Sequence, residues 1–234
     1  MSSKLIIALD FSTKQQALDF VKQLSPANCK LKVGFELYVA AGPDLVRQLV
    51  DLGYDVFLDL KFHDIPNTVA SACRSAASLG VWMMNVHASG GDIMMQAAKQ
   101  ALVDAASSSK LIAVTVLTSM DAQQLKRINV SSSPQEQVKQ LAQLTQKSGL
   151  DGVVCSAREA QYLREQLGED FLMVTPGIRP EGADAGDQKR LMTPAEACRA
   201  GVSYIVVGRP ITQAKNPLAV IEQINKDMTP NPNP

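Results

Sequence analysis

DVFLDLKFHDIPNT, Asp55 to Thr68, joins two patterns that seldom share one segment. Its first half is a near-continuous apolar run, the pattern of a strand buried on both faces. Asp59, Lys61, His63 and Asp64 crowd into its second half. Side chains alternate along a strand, so Asp59 and Lys61 share one side with Phe57 and Asp55, while Leu58 and Leu60 face the other. Burying such charges costs on the order of several kcal/mol per ion unless opposite charges compensate.

Seven further apolar runs flank this one: LIIALD (5–10), KLKVGF (30–35), VWMMNVHA (81–88), LIAVTVL (111–117), GVVCS (152–156), FLMVTP (171–176) and SYIVVG (203–208). Amphipathic stretches separate them, several with helix start signals. Ser133-Pro134-Gln135-Glu136 and Thr193-Pro194-Ala195-Glu196 set a capping hydroxyl, a Pro at the first helical position and a Glu at the third. Ser156 with Glu159, and Ser12 with Gln15, repeat the capping box. Evenly spaced strand–helix units of this number, with no domain break, predict a (β/α)8 TIM barrel over 1–228, with a Pro-rich tail at 229–234. A doubly wound open sheet is the competing arrangement.

In such a barrel the active site lies at the C-terminal strand ends. Strand one ends in Asp10, strand two carries Lys32, and strand three carries Asp59 and Lys61. Strand four offers Asn85 and His87, and strand five ends in Thr118-Ser119. An ion-pair plug would explain one Asp/Lys pair. Five charged residues at one rim, with Asp64 included, point to catalysis. TPGIRP (175–180) and VGRP (207–210) place Gly and Arg after strands seven and eight, where these barrels cradle phosphate. Arg179, Gly208 and Arg209 are the expected anion ligands. The Gly-rich stretch between strand seven and Thr193 reads as a lid over 177–193, from which Gln188 reaches the ligand.

Composition narrows the classes. Lys+Arg and Asp+Glu balance at 23 each, so nothing favours nucleic acid. Cys29, Cys73, Cys155 and Cys198 are scattered, without metal-ligand or disulfide spacing. No apolar segment approaches the roughly 18 residues of a membrane span. The chain reads as a soluble protein of a reducing cytoplasm.

LDLKFHDIPNTV (58–69), with its Asp-x-Lys-x-x-Asp core, resembles the signature of the orotidine 5′-phosphate decarboxylase family. ALDF (8–11), LKVGFELY (31–38), NVHASGG (85–91), LTSM (117–120), TPGIRP and VGRPIT (207–212) fall in the family's order, and the likeness is nearest its short bacterial form. The resemblance implies conversion of orotidine 5′-monophosphate to UMP and CO2, the last step of de novo UMP synthesis, with no metal and no organic cofactor. It implies a homodimer. Lys32, Asp59, Lys61 and the partner subunit's Asp64 would form an alternating charged array, and the partner subunit's Thr68 would reach the ribose. Asp10 would bind a ribose hydroxyl, Thr118 the pyrimidine, and Arg179, Gln188, Gly208 and Arg209 the phosphate.

Two other readings stand beside it. One is a Mg²⁺-dependent sugar-phosphate decarboxylase resembling the 3-keto-L-gulonate 6-phosphate enzymes, which hold the metal partly through a carboxylate at the end of strand two, where this chain has Lys32. The other is a non-catalytic phosphate-ligand-binding barrel. His63 reads as a structural hydrogen-bonding residue facing inward. His87 either orients the charged array or packs beside it. The Met-rich WMMNV and DIMMQA read as packing.

Overall fold

The eight apolar runs become eight short parallel strands that close on themselves in sequence order. They are β1 (Leu5–Ala8), β2 (Lys30–Val33), β3 (Val56–Phe62), β4 (Met83–His87), β5 (Lys110–Val114), β6 (Gly152–Val154), β7 (Leu172–Pro176) and β8 (Tyr204–Val207). The computed structural model describes residues 3–180 and 192–229. The helices that cover the barrel are α1 (Lys14–Val21), α2 (Phe35–Asp51, kinked at Gly42), α3 (Pro66–Ala77), α4 (Asp92–Asp104), α5 (Ala122–Arg127), α6 (Pro134–Lys147), α7 (Ala157–Leu167), α8 (Pro194–Arg199), α9 (Arg209–Thr212) and α10 (Pro217–Asp227).

The strands are buried on both faces over most of their length, apart from the upper half of β3, which is why the runs are continuous rather than alternating. Ile6, Ala8, Phe57, Met83, Ile112, Val174 and Val206 pack together inside the barrel. Leu5, Ile7, Leu31, Val33, Leu58, Met84 and Ile205 belong to the larger core between strands and helices. Each such side chain contributes about 1.5–3 kcal/mol by leaving water. Gly152 is dictated by the close approach of β6 to β7: a Cβ there would stand 2.2 Å from the Leu172 carbonyl oxygen.

The lower end of the barrel is closed by Lys30. Its side chain is buried, with Nζ 2.5 Å from Asp55 Oδ2 and 4.7 Å from the centre of the Trp82 ring. Lys30 and Lys32 alternate to the same side of β2, so one lysine plugs the bottom and the other reaches the top.

Start signals fare well. Ser133 Oγ accepts from Glu136 N at 3.2 Å, and Glu136 accepts from Ser133 N at 2.9 Å. Thr193 and Glu196 form the same reciprocal pair, at 3.3 and 2.8 Å. At α7, Glu159 accepts from Ser156 N at 2.8 Å. The cap of α1 is a correction: it is Thr13 rather than Ser12, and it accepts from Gln16 N at 3.3 Å. β5 also ends earlier than the sequence implies. Thr115 bonds through both its N–H and its hydroxyl to the Val154 carbonyl, at 3.3 and 2.9 Å, and the chain then leaves the ladder. α5 and α9 were not expected, because six and four residues carry too little periodicity to read. Residues 230–234 of the tail lie outside the described residues.

Candidate active site

At the upper end of β3 the ladder is irregular. Leu58 pairs with Met84 and Phe62 with Val86, so Asp59, Leu60 and Lys61 together oppose the single Asn85. Lys61 takes a positive φ of 47°, a conformation that costs a non-glycine residue about 1–2 kcal/mol. Alternation still holds in outcome. Leu60 and Phe62 pack against the outer core, while Asp59 and Lys61 turn into the barrel mouth.

There the charges alternate. Lys61 Nζ lies 2.6 Å from Asp59 Oδ1, and Lys32 Nζ lies 3.4 Å from Asp59 Oδ2 and 3.2 Å from Asp10 Oδ1. The Asp59 side chain is 13% exposed and that of Lys32 11%. Burial pushes the Asp59 carboxyl up, but the Lys32 and Lys61 ammoniums, with hydrogen bonds from Lys61 and Asn85, outweigh it and hold the pKa below the usual aspartate value. Lys61 Nζ also sits 4.9 Å from the centre of the Phe35 ring, within cation–π range.

These residues edge a cavity of about 180 Å³. Its floor is the top of the barrel core, with Phe57, Val174 and Val206, and its far wall carries Val116, Leu117 and Thr118. Cys155 lines it too, but burial raises that thiol far above its ordinary pKa, so it serves as an apolar wall. Two roomier grooves, of about 450 and 490 Å³, lie among the outer helices and hold no comparable charged array.

Gly34 follows β2 and faces the same lysine. A Cβ there would stand 2.9 Å from Lys32 Nζ. The glycine is what lets the ammonium sit between Asp10 and Asp59.

The structure thus brings together Asp10, Lys32, Asp59, Lys61 and Thr118. It does not bring Asp64 or Thr68 to that cavity. Asp64 is exposed, and its Oδ1 accepts from the Ile65 N–H at 2.6 Å. Thr68 is exposed on the first turn of α3. Arg179 is 8% exposed at the mouth of β7, and its Nη1 donates to the Ile178 carbonyl at 3.0 Å. Arg209 and Gly208 follow β8, the neighbour of β7 in the barrel. Ile178 and Met192 form a parallel bridge that joins the two ends of the expected lid. Gln188 and the rest of 181–191 lie outside the described residues.

His63 is a correction. β3 ends at Phe62, and His63 is exposed, not inward. Its described contact is with the His87 ring, 5.6 Å between centres. Burial, then the neighbouring His63 and Lys61, lowers the pKa of His87, against an opposing pull from Asp59. His87 therefore stands next to the array with its charged form disfavoured. Asn85 received no role from the sequence. It is fully buried; its Nδ2 donates to Asp59 Oδ1 at 2.8 Å and its Oδ1 accepts from Lys61 N at 2.8 Å. The one available signal was its place inward on the same alternation as Met83 and His87. Among the described residues no cluster of three or more His, Cys, Asp or Glu side chains fits a metal ion, and no helix is long and apolar enough to cross a membrane.

Fold and site define a class: a (β/α)8 barrel with an alternating lysine–aspartate array at its C-terminal mouth. Residues 3–224 match the orotidine 5′-phosphate decarboxylase / HUMPS family, and the chain belongs to it. It is 62% identical over 228 residues to the orotidine 5′-phosphate decarboxylase of Pseudoalteromonas translucida (strain TAC 125), with 97% of each chain covered. It is 60% identical to that of Pseudoalteromonas atlantica (strain T6c / ATCC BAA-1087), covering 95% of this chain and 96% of the other. The crystal structure of orotidine 5′-phosphate decarboxylase from Lactobacillus acidophilus superposes with a TM-score of 0.88 at 41% identity, covering 98% of this chain and all of that one.

Proposed function

We propose that the chain converts orotidine 5′-monophosphate to UMP and CO2, the closing step of de novo UMP synthesis, as a cytoplasmic homodimer. The observation that carries this reading is the Lys32–Asp59–Lys61 array at the edge of an otherwise apolar cavity. The relatives at 58–62% identity bear the decarboxylase name, and Lys32 stands where the magnesium-dependent relatives are expected to carry a carboxylate.

In this reading the bond from C6 of the pyrimidine to its carboxylate breaks, CO2 leaves, and the electron pair stays on C6. The Lys61 ammonium stabilises that charge and donates its proton to C6, and solvent reprotonates the amine. Asp59, held ionised, orients Lys61 and stands near the departing carboxylate. The partner subunit's Asp64 completes the array, and the partner subunit's Thr68 reaches the ribose. Lys32 bridges Asp59 to Asp10, and Asp10 binds a ribose hydroxyl. Thr118 contacts the pyrimidine. Arg179, Gly208 and Arg209, with Gln188, hold the phosphate. A field fixed before the reaction needs no reorganisation as charge develops, which is where such sites gain most. Phosphate binding, remote from C6, adds to kcat/KM.

Several features support pairing. Phe35, Val39, Ile65 and Ile93 are exposed apolar residues at 54, 84, 67 and 69%. They sit at the starts of α2, α3 and α4, the helices that follow β2, β3 and β4 on the site's own rim. A second copy placed there would cover them and meet Asp64.

Purified protein mixed with orotidine 5′-monophosphate should lose the substrate's absorbance as UMP forms, unchanged by EDTA. Tight UMP binding without turnover would favour a binding barrel, and magnesium-dependent activity the sugar-phosphate reading. A finer prediction concerns Gly34. Its φ of −99° suits any residue, so Gly34→Ala should fold normally. Its methyl group should push Lys32 out of the array and lower kcat by about 10²-fold, the scale of a 1 Å misplacement. Wild-type kinetics in that variant would show that Lys32 need not sit where it does.

A further inference from the structure

We propose that Asn85 is a positioning residue for the decarboxylation, holding the bulged end of β3 so that Lys61 and Asp59 keep their places. The inference rests on the function proposed above and adds a residue to it.

The argument starts from the ladder. Three residues of β3 oppose Asn85 alone, so the Lys61 N–H has no regular partner on β4. The Asn85 side-chain oxygen supplies that partner at 2.8 Å. A left-handed residue between two strands is held only if its surroundings over-determine it. The same amide donates to Asp59 Oδ1, the oxygen that also receives Lys61 Nζ. A single orientation of the amide meets both demands, because a backbone N–H needs the oxygen and a carboxylate needs the NH2 group. One fully buried side chain therefore ties the backbone of the proton donor to the carboxylate that aims it. A leucine or methionine would fill the volume as well. Only the amide satisfies both poles, and an unsatisfied one would be penalised. Asn85 does not line the cavity, so it acts through its two neighbours.

The test uses the full-length protein. Asn85→Ala should lower kcat by about 10²-fold, with KM and UMP affinity within a few-fold of wild type, because the phosphate and ribose contacts are untouched. The acid limb of kcat/KM should move to higher pH, because Asp59 loses a hydrogen bond that favours its charged form. Asn85→Asp keeps size and the acceptor for Lys61 N–H but sets an acceptor against Asp59; it should fold and still lose kcat. In the wild-type protein the Lys61 amide should exchange slowly with solvent. A kcat and acid limb within twofold of wild type in Asn85→Ala would overturn the proposal, as would fast exchange at Lys61. Failure of both variants to fold would overturn it too, since Asn85 would then be a folding residue. A wild-type protein without turnover would instead sink the function itself.

Discussion

Lys61→Ala is expected to lower kcat by more than about 10³-fold, beyond the loss of a single hydrogen-bond donor from a preorganised site. In the proposed mechanism the substitution removes two things at once: the cation that stabilises C6 and the proton C6 receives. It also strips Asp59 of its 2.6 Å partner, leaving that shielded carboxylate to Lys32 at 3.4 Å and Asn85 at 2.8 Å. The pKa of Asp59 should rise in consequence, because the Lys61 charge and hydrogen bond are among the forces holding it down. The positive φ of Lys61 offers a control. Glycine adopts that conformation without penalty, so Lys61→Gly should be at least as stable to heat as Lys61→Ala and equally inactive. Stability and activity then separate, and the loss belongs to the ammonium rather than to a collapsed bulge. Turnover of either variant within tenfold of wild type would remove Lys61 from the mechanism.

Much of this site was legible because period-2 alternation and strand direction are both local. Asp59 and Lys61 were paired two apart on one strand, and β2 set Lys32 beside them. The structure separates two similar lysines by strand direction: Lys30, at the start of β2, closes the bottom with Asp55, whereas Lys32, two residues on, joins the mouth. What escaped the sequence depends on comparing two strands. The bulge is a mismatch of spacing between β3 and β4, so neither strand alone reveals it, and Asn85 gains its role only from that mismatch. His63 escapes for a different reason, the unmarked end of a single strand. Alternation carried it inward, but the strand had already ended at Phe62. The short helices α5 and α9 lack the turns needed to show a period. The residues proposed to hold the phosphate stand in a Gly-Ile-Arg-Pro and a Gly-Arg-Pro turn after the last two strands, a pattern visible in the sequence itself. Their grouping rests on the adjacency of β7 and β8 in a closed barrel, which the sequence supplied only through the unit count.

Mixing Lys61→Ala subunits with Asp64→Ala subunits is expected to restore activity that neither variant has alone. Asp64 lies past the end of β3, where alternation no longer sets its direction. It is exposed and bonded to the Ile65 N–H, and among the described residues it joins no ion pair. Within one subunit Asp10, Lys32, Asp59 and Lys61 already alternate in charge, and a carboxylate supplied by a partner would extend that alternation beyond Lys61. If the partner supplies that carboxylate, one site of each mixed dimer lacks both residues and the other keeps both. Random exchange in a two-fold dimer makes about half the dimers mixed, each with one intact site, so recovery should approach roughly a quarter of wild-type activity. If Asp64 served its own subunit instead, each site of the mixed dimer would lack one residue and nothing would return. Confirmed exchange, followed by mass of the mixed species, with activity still at the level of the parents would place Asp64 in cis.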